Sequence, residues 1–277
     1  MFLLFDVGGT KTRVVLGDDG GIKDKAVIIP TPTDFEQCLA QIVNTALSLA
    51  QGGKITRVVG GLAGALDRDH TMLVAGSNIS PWIGKPVKKL LEEALHAPVV
   101  LENDAALAGL GEAIIGAGKD YAIVGYMTIS TGVGGARITN KTIDAHVFGF
   151  EPGYQIVDAD GSLCTRCTKR NLEAHISGRG IEDHYGKKPE DIHDKNVWEG
   201  IASALGVGLT NTILHWSPDI MVLGGSVMQS ISLEHVREVV REFLHVYQEI
   251  PAIERAQLGD IGGLEGALQI ARTHLAL

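Results

Sequence analysis

The sequence of 277 residues has few cysteines and no long apolar run. Its only cysteines are Cys38, Cys164 and Cys167, an odd and sparse set that argues against a disulfide framework and for a reducing compartment. The first residues include no basic segment, and no stretch approaches the roughly 20 apolar residues of a membrane span. We therefore expect a cytoplasmic protein that does not bind a membrane.

Basic charge is also scarce. The chain has 24 Lys and Arg against 33 Asp and Glu, a net charge of −9, and no basic run longer than two residues. Because nucleic acid requires a basic face, we expect no nucleic-acid partner. The Gly-x4-Gly-Lys-Ser/Thr pattern of P-loop NTPases is absent, and no Gly-x-Gly-x-x-Gly opens a helix as a Rossmann fold requires.

The two halves of the chain repeat one order of predicted elements. Each half opens with a hairpin whose turn is rich in glycine, at residues 6–10 and 130–135, and continues with a third strand and alternating helices and strands. This order predicts an α/β protein of two duplicated domains with mixed β-sheets and flanking helices. We predict one domain over residues 1–117, completed by a C-terminal helix over 264–277, and another over 118–263.

An acid, two glycines, a threonine and a lysine come close together in the first hairpin, at Asp6, Gly8, Gly9, Thr10 and Lys11. The amides of so bare a turn can face an anion, while Thr10 adds a hydroxyl and Lys11 a cation. The turn therefore suits phosphate, with Asp6 placed to hold the water shell of Mg²⁺. A plain hairpin turn does not explain why these side chains flank the glycines together.

A polar pair, Asn103-Asp104, stands where a predicted buried strand passes into a helix. A helix N-terminus favours an ionised carboxylate, so Asp104 is suited to accept a proton from a substrate hydroxyl that attacks a γ-phosphate. Taken alone, either residue fits better as an N-cap. The pair indicates a kinase base only together with the other motifs.

Together these segments resemble the ROK family of sugar kinases and sugar-responsive repressors, part of the actin-like ATPase superfamily. The resemblance runs nearly end to end and includes residues 61–67, 77–82, 130–135, 222–226 and 258–267. It implies two actin-like (ribonuclease H-like) domains and a homodimer. It also implies ATP-dependent, glucokinase-like phosphorylation of a hexose or N-acetylhexosamine hydroxyl.

The family pattern implies a role for each motif, with Asp104 as the general base and ATP and Mg²⁺ as cofactors. Asp6 would hold Mg²⁺ through water, and Gly224 and Gly225 would line the adenosine pocket. The sugar hydroxyls would contact Asn78, Asn103, Asp104, Glu151, Tyr154 and Glu173. The phosphates would contact Gly8, Gly9, Thr10, Lys11, Thr131, Gly132 and Gly134. Carboxylates and amides suit a substrate with many hydroxyls.

The chain departs from the family pattern where members carry zinc ligands. Members usually have a sugar-contacting, zinc-binding histidine in place of Tyr154, and their Cys-x-Cys-x4-Cys run corresponds here to Cys164, Arg166 and Asn171. Cys167 lies one place off, and a single histidine such as His146 or His175 is more often a surface or core residue than a ligand. Because a structural zinc needs four Cys or His ligands, we expect none. The Tyr154 hydroxyl can still donate a hydrogen bond to the sugar.

Three alternatives stay open. A catalytically impaired sugar-binding or sensor protein without a DNA-binding domain fits the altered zinc motif, although the acids and amides of the site are retained. A ROK repressor is disfavoured because such repressors carry an N-terminal helix-turn-helix, and an acyl kinase because Glu151 and Glu173 would repel a carboxylate. Glucose, N-acetylglucosamine, N-acetylmannosamine, fructose and allose all fit as the sugar, and ATP or polyphosphate as the donor.

Overall fold

The computed structural model describes residues 1–76, 79–161 and 169–273. The chain divides into two compact units. Unit 1 contains Met1–Gly111, Ala145–Gly149 and the segment from Asp260 onward, and unit 2 contains Glu112–Asp144 and Phe150–Gly259. Compact units are not by themselves folding domains, so the predicted domain bounds stay a prediction.

Unit 1 is built on a mixed, six-stranded sheet in the order β3-β2-β1-β5-β8, with β4 also paired to β2. The central strand β1 runs antiparallel to β2 and parallel to β5, which is parallel to β8. The strands of unit 1 are β1 (Phe2–Val7), β2 (Lys11–Asp18), β3 (Gly21–Ile22), β4 (Val27–Pro30), β5 (Arg57–Leu62), the small ribbon of β6 (Ala65–Leu66) and β7 (Leu73–Ala75), and β8 (Val99–Asn103).

Helices cover both faces of this sheet, because the side chains of β1 alternate between two apolar clusters. Leu3 and Phe5 belong to the cluster of α1 (Phe35–Ala50) and α2 (Val87–Leu95), whereas Leu4 packs with α8 (Gly262–Thr273). The helix α3 (Asp104–Ile115) follows β8 directly. A strand that is covered on both faces reads as a continuous apolar run, as β1 does.

Unit 2 contains a five-stranded sheet in the order β11-β10-β9-β12-β13. Its strands are β9 (Ile123–Ile129), β10 (Val133–Thr139), β11 (Thr142–Ile143), β12 (Ile220–Gly224) and β13 (Ala252–Arg255). Its helices are α4 (Leu172–Ile176), α5 (Gly178–Tyr185), α6 (Lys195–Trp216) and α7 (Leu233–Phe243). No helix in the described part of the chain combines the length and the apolar character that crossing a bilayer requires.

The two sheets share one topology. In each, the first strand pairs antiparallel with the second and parallel with a later strand, so that β9, β10 and β12 repeat the arrangement of β1, β2 and β5. The third and last strands, β11 and β13, extend the sheet as β3 and β8 do. The predicted α/β class with duplicated mixed sheets is confirmed.

Candidate active site

A row of four residues crosses the unit-1 sheet near the carboxyl ends of its parallel strands. Arg13 lies opposite Asp6, and Asp6 lies opposite Gly61. Gly61 in turn lies opposite Glu102. A Cβ on Gly61 would lie 3.1 Å from Asp6 Oδ1 and 3.5 Å from the Cα of Asp104, so this glycine lets the two acids approach one strand end. Ligands of open α/β sheets bind outside such strand ends.

The carboxylate of Asp6 lies in a largely buried position, with 18% of the side chain exposed. Arg13 Nη1 is 3.5 Å away, and Arg13 Nη2 also binds Asp260 at 2.8 Å. Burial raises the pKa of Asp6 to about 6, although the charge of Arg13 lowers it. Arg13 therefore compensates this carboxylate only in part, and a bound cation would stabilise its charged form.

The turn after β1 is stabilised by a hydrogen bond from Thr31, the residue that follows β4. The Gly8 N–H donates to Lys11 O at 3.0 Å, and Thr31 Oγ1 donates to Gly8 O at 2.8 Å. Gly9, Thr10 and Lys11 are exposed. The predicted phosphate-binding turn thus presents these three residues to solvent, while the Gly8 amide is engaged within the turn.

Asn103 and Asp104 have different structural roles. Asn103 Oδ1 accepts the Ala106 N–H at 3.1 Å as an N-cap, and Asn103 Nδ2 donates to Gly64 O at 3.0 Å. Asp104 is half-buried and is the first residue of α3, where its Oδ1 accepts the Ala105 N–H at 2.8 Å. The residue that caps the helix is therefore Asn103, and Asp104 lies at the electropositive helix end.

Glu151, Tyr154 and Glu173 form an acidic group in unit 2. Glu151 precedes a short 3₁₀ helix, Pro152–Tyr154, whose last residue is Tyr154, and Glu173 lies in the first turn of α4. Desolvation by the surrounding protein raises the pKa of Glu151 to about 7, and the charge of Glu173 adds to this effect, although the residue is exposed. The pKa of Tyr154 is also raised, by partial desolvation and by the charges of Glu173 and Glu151, although this residue too is exposed. The three side chains therefore act on one another.

The turn between β9 and β10 is tied to this acidic group by a contact that the sequence does not reveal. Glu173 Oε2 accepts the Val133 N–H at 2.9 Å. The turn is also fixed to α5, because the Gly178 N–H donates to Ser130 O at 2.7 Å. Thr131 remains exposed. Glu173 thus connects the predicted sugar contacts of unit 2 with its predicted phosphate turn.

The glycine pair Gly224-Gly225, at the end of β12, is followed by Ser226, which lines a cleft within unit 2. Gly225 has φ 96°, and a Cβ there would lie 2.1 Å from Ile129 O, so only glycine fits. The cleft has a volume of about 500 Å³, and its lining includes Thr131, Arg179, Glu182, Lys188, Ser226 and Gln229. Of the other predicted site residues, Asn78, Cys164 and Cys167 lie outside the described residues.

Comparisons with known proteins identify the family of the chain. The model of the ROK family matches residues 3–274. The chain is 27% identical over 306 residues to a glucokinase of Streptomyces coelicolor, covering 96% of both proteins. It is 29% identical over 300 residues to an N-acetyl-D-glucosamine kinase of Mannheimia succiniciproducens, covering 97% of this chain and 98% of the relative.

Solved structures show the same fold over nearly the whole chain. The ROK hexokinase of Thermus thermophilus has a TM-score of 0.83 at 27% identity, covering 98% of this chain and 99% of its own. A ROK family glucokinase of Streptomyces griseus, solved in complex with glucose and AMPPNP, has a TM-score of 0.80 at 26% identity with the same coverage.

Proposed function

Because this chain belongs to the ROK family, we propose that it is an ATP-dependent sugar kinase that phosphorylates a hydroxyl of a hexose or N-acetylhexosamine. The observation that carries the proposal is the division of roles at the start of α3. Asn103 supplies the helix cap, while Asp104 places a carboxylate at the helix end, close to Asp6 through Gly61. The named relatives include both glucokinases and N-acetylglucosamine kinases, so both sugar classes fall within the proposal.

Asp104 is the proposed general base. A sugar hydroxyl gives its proton to the Asp104 carboxylate while its oxygen bonds to the γ-phosphorus of ATP. The bond between that phosphorus and the bridging oxygen breaks, and ADP leaves with the electron pair. The N-terminus of α3 favours the ionised form of Asp104, which is the form that accepts the proton.

Asp6 is the residue proposed to hold Mg²⁺ through water. Its carboxylate fits a hydrated cation because it is largely buried and only partly compensated by Arg13. Bound Mg²⁺ would neutralise charge on the phosphates. Gly9, Thr10 and Lys11, exposed at the adjacent turn, are proposed phosphate contacts, and Gly8 shapes the turn.

Unit 2 supplies the remaining proposed contacts. Glu151, Tyr154 and Glu173 are its proposed contacts to sugar hydroxyls, as Asn78 and Asn103 are those of unit 1. The turn of Thr131, Gly132 and Gly134 would contact the phosphates. The cleft of about 500 Å³ lined by Ser226, the residue after Gly224 and Gly225, would take the adenosine, and Arg179 and Lys188 in its lining favour an anionic ligand. The complex of the Streptomyces griseus glucokinase with glucose and AMPPNP supports this choice of ligands.

A sugar-binding protein with impaired turnover is the second candidate. Tyr154 occupies the position of the family's histidine and is 57% exposed, so it encloses the site poorly. The Val133 N–H, at the end of the turn between β9 and β10, already donates a hydrogen bond to Glu173. Both observations favour binding over rapid phosphoryl transfer.

A cytoplasmic location and a homodimer stay predictions.

A coupled ADP-release assay tests the proposal. The purified chain is assayed with Mg²⁺ and ATP on glucose, N-acetylglucosamine, N-acetylmannosamine, fructose and allose. A second series uses polyphosphate as the donor, and there the sugar phosphate is measured directly. We expect sugar-dependent turnover with at least one sugar. Calorimetric binding of a sugar without turnover would support the sensor, and neither binding nor turnover with any sugar would contradict both candidates.

A further inference from the structure

Three potential metal ligands meet in unit 1. His70 lies on the turn between β6 and β7, Glu102 on β8, and His146 in the segment 145–149. One donor atom from each lies within 4.8 Å of the others. The two imidazole rings stack with centroids 5.7 Å apart and an interplanar angle of 19°. We propose that His70, Glu102 and His146 form a binding site for a divalent transition metal of the Zn²⁺ type.

The hydrogen bond of His70 sets the tautomer that leaves Nε2 as its available metal ligand. Its Nδ1 lies 3.1 Å from Leu101 O, and because a carbonyl can only accept, Nδ1 carries the proton. The lone pair is then on Nε2, the usual arrangement when a backbone carbonyl orients a metal-bound histidine. The turn itself is held by Asp67, whose carboxylate accepts the Thr71 N–H at 2.6 Å and the Thr71 hydroxyl at 2.7 Å. His70 has φ 51°, a conformation uncommon outside glycine and seen at constrained sites.

Glu102 supplies the negative charge of the site. The residue is only 8% exposed, and its Oε1 accepts the Asn103 N–H at 2.8 Å, which fixes the carboxylate plane. Its Oε2 also lies 3.5 Å from His70 Nδ1, and because Nδ1 carries the proton this contact is to an N–H and does not join two ligand atoms. A buried carboxylate is stabilised by a cation, and two imidazoles with one carboxylate are a ligand set that zinc accepts with a water in the fourth position.

The distances predict a weaker and more exchangeable site than a four-ligand structural zinc. Ligands at about 2.0–2.1 Å from a tetrahedral zinc lie about 3.4 Å from one another, so ligand atoms within 4.8 Å of one another must close by up to about 1.4 Å. His70 and His146 are both half-buried, and neither is locked in the core. We therefore expect the metal to be removable by a chelator without unfolding of the chain.

Metal binding must also break one hydrogen bond. His146 Nδ1 accepts the Gly149 N–H at 2.9 Å. A metal on Nδ1 would displace that N–H, and a metal on Nε2 would require the proton on Nδ1, which could then no longer accept. In either case the Gly149 amide loses its acceptor, which makes its NMR resonance a reporter of the site.

Calorimetric titration of the chelator-treated full chain with Zn²⁺ tests the proposal. We expect about one Zn²⁺ per chain, and His70→Gln or His146→Gln should each raise the Kd at least about tenfold. His96→Asn is the matched control, because His96 is an exposed histidine of unit 1 with a similar φ of 50°. A Cys164→Ser/Cys167→Ser double variant should bind Zn²⁺ as the unmodified chain does.

The Gly149 amide of the unmodified chain gives a readout that does not depend on a variant folding. Its resonance should shift on addition of Zn²⁺ in proportion to occupancy, while residues around His96 should not respond. The proposal is overturned if Zn²⁺ does not bind or if binding survives both histidine variants. Loss of binding in the cysteine variant, or a Gly149 resonance that ignores bound Zn²⁺, would also overturn it.

Discussion

The same row of the duplicated sheet differs in charge between the two units. In unit 1, Asp6 lies between Arg13 and Gly61, with Glu102 beyond the glycine. In unit 2, the equivalent strand positions place Thr128 between Gly134 and Gly224. An acid between a cation and a glycine thus corresponds to a threonine between two glycines.

The difference shows how one topology can support two kinds of binding. A carboxylate that is only partly compensated suits a hydrated cation and proton transfer. A row without charge or bulk lets the backbone approach a polyanion. We call Arg13, Asp6, Gly61 and Glu102 of unit 1 the charged row, and Gly134, Thr128 and Gly224 of unit 2 the uncharged row. On the proposed function, the charged row lies at the Mg²⁺ and the general base, and the uncharged row lies at the phosphates and the nucleoside.

The largest expected effect tests the chemistry of the charged row. Asp104→Asn should lower kcat by about 10²–10⁴-fold with little change in sugar affinity, because the amide still forms hydrogen bonds but cannot accept the proton. Steady-state kinetics and sugar calorimetry measure the two quantities, with Asp19→Asn, an exposed acid of unit 1, as the control. Turnover near the unmodified rate would remove Asp104 from the role of base.

A second variant makes the uncharged row resemble the charged one. Thr128→Asp should raise the KM for ATP by roughly 10–10²-fold, because the new carboxylate would face the proposed phosphate position. Thr128→Val is the matched control, since it keeps the shape without a charge. Equal ATP kinetics in the aspartate and valine variants would mean that this row does not face the phosphates.

A third variant removes the cation of the charged row. The pKa of Asp6 is raised to about 6 by burial and is lowered by Arg13, so Arg13→Gln should raise it further. Asp6 would then be neutral over a wider acid range, and kcat/KM should fall roughly fivefold at pH 6 but little at pH 8. Arg68→Gln, which alters an exposed arginine of unit 1, should leave the acid limb of the pH profile in place. An unmoved acid limb in Arg13→Gln would contradict a role for Asp6 ionisation.

The smallest expected effect concerns the acidic group of unit 2. The pKa of Glu151 is raised to about 7, so its carboxylate is mostly neutral at pH 6 and mostly ionised at pH 8. Because the ionised form is the better acceptor for sugar hydroxyls, the sugar KM should fall about two- to fivefold across this range. Glu151→Gln should abolish this change, while Glu199→Gln, at an exposed position of the same unit, should keep it. A pH dependence that persists in Glu151→Gln would assign the titration to another group.

Elements with a strong local pattern were predictable from the sequence. The apolar run Phe2–Val7 predicts a strand and forms β1, and the helical spacing of apolar residues from Phe35 predicts a helix, which begins there as α1 after the Asp34 N-cap. The apolar segment 22–30, in contrast, predicts one strand but forms part of two, β3 and β4, with residues 23–26 between them. Edge strands carry little pattern, and the sequence does not predict β13 because Ala252–Arg255 is short and half charged.

The residues of the candidate site can be proposed from the sequence, but their contacts cannot. The motifs indicate Asp6 and Asp104, and the family resemblance implies Glu151 and Glu173, yet neither gives strand register, which is what places Gly61 beside Asp6. The bond from the Val133 N–H to Glu173 joins residues 40 positions apart. The meeting of His70 with His146 likewise depends on how the chain returns to unit 1 after β11, which no local pattern encodes.

Glu173 Oε2 accepts a hydrogen bond from the Val133 N–H. On the proposed function, a sugar hydroxyl competes with this N–H for the same carboxylate oxygen. A sugar hydroxyl that takes this oxygen releases the amide, which can then donate to a phosphate oxygen. The free energies of sugar and nucleotide binding are then coupled, and thermodynamic linkage makes the coupling reciprocal. Each ligand should tighten the other by the same factor, so ATP would bind more weakly in the absence of sugar, which would limit futile hydrolysis.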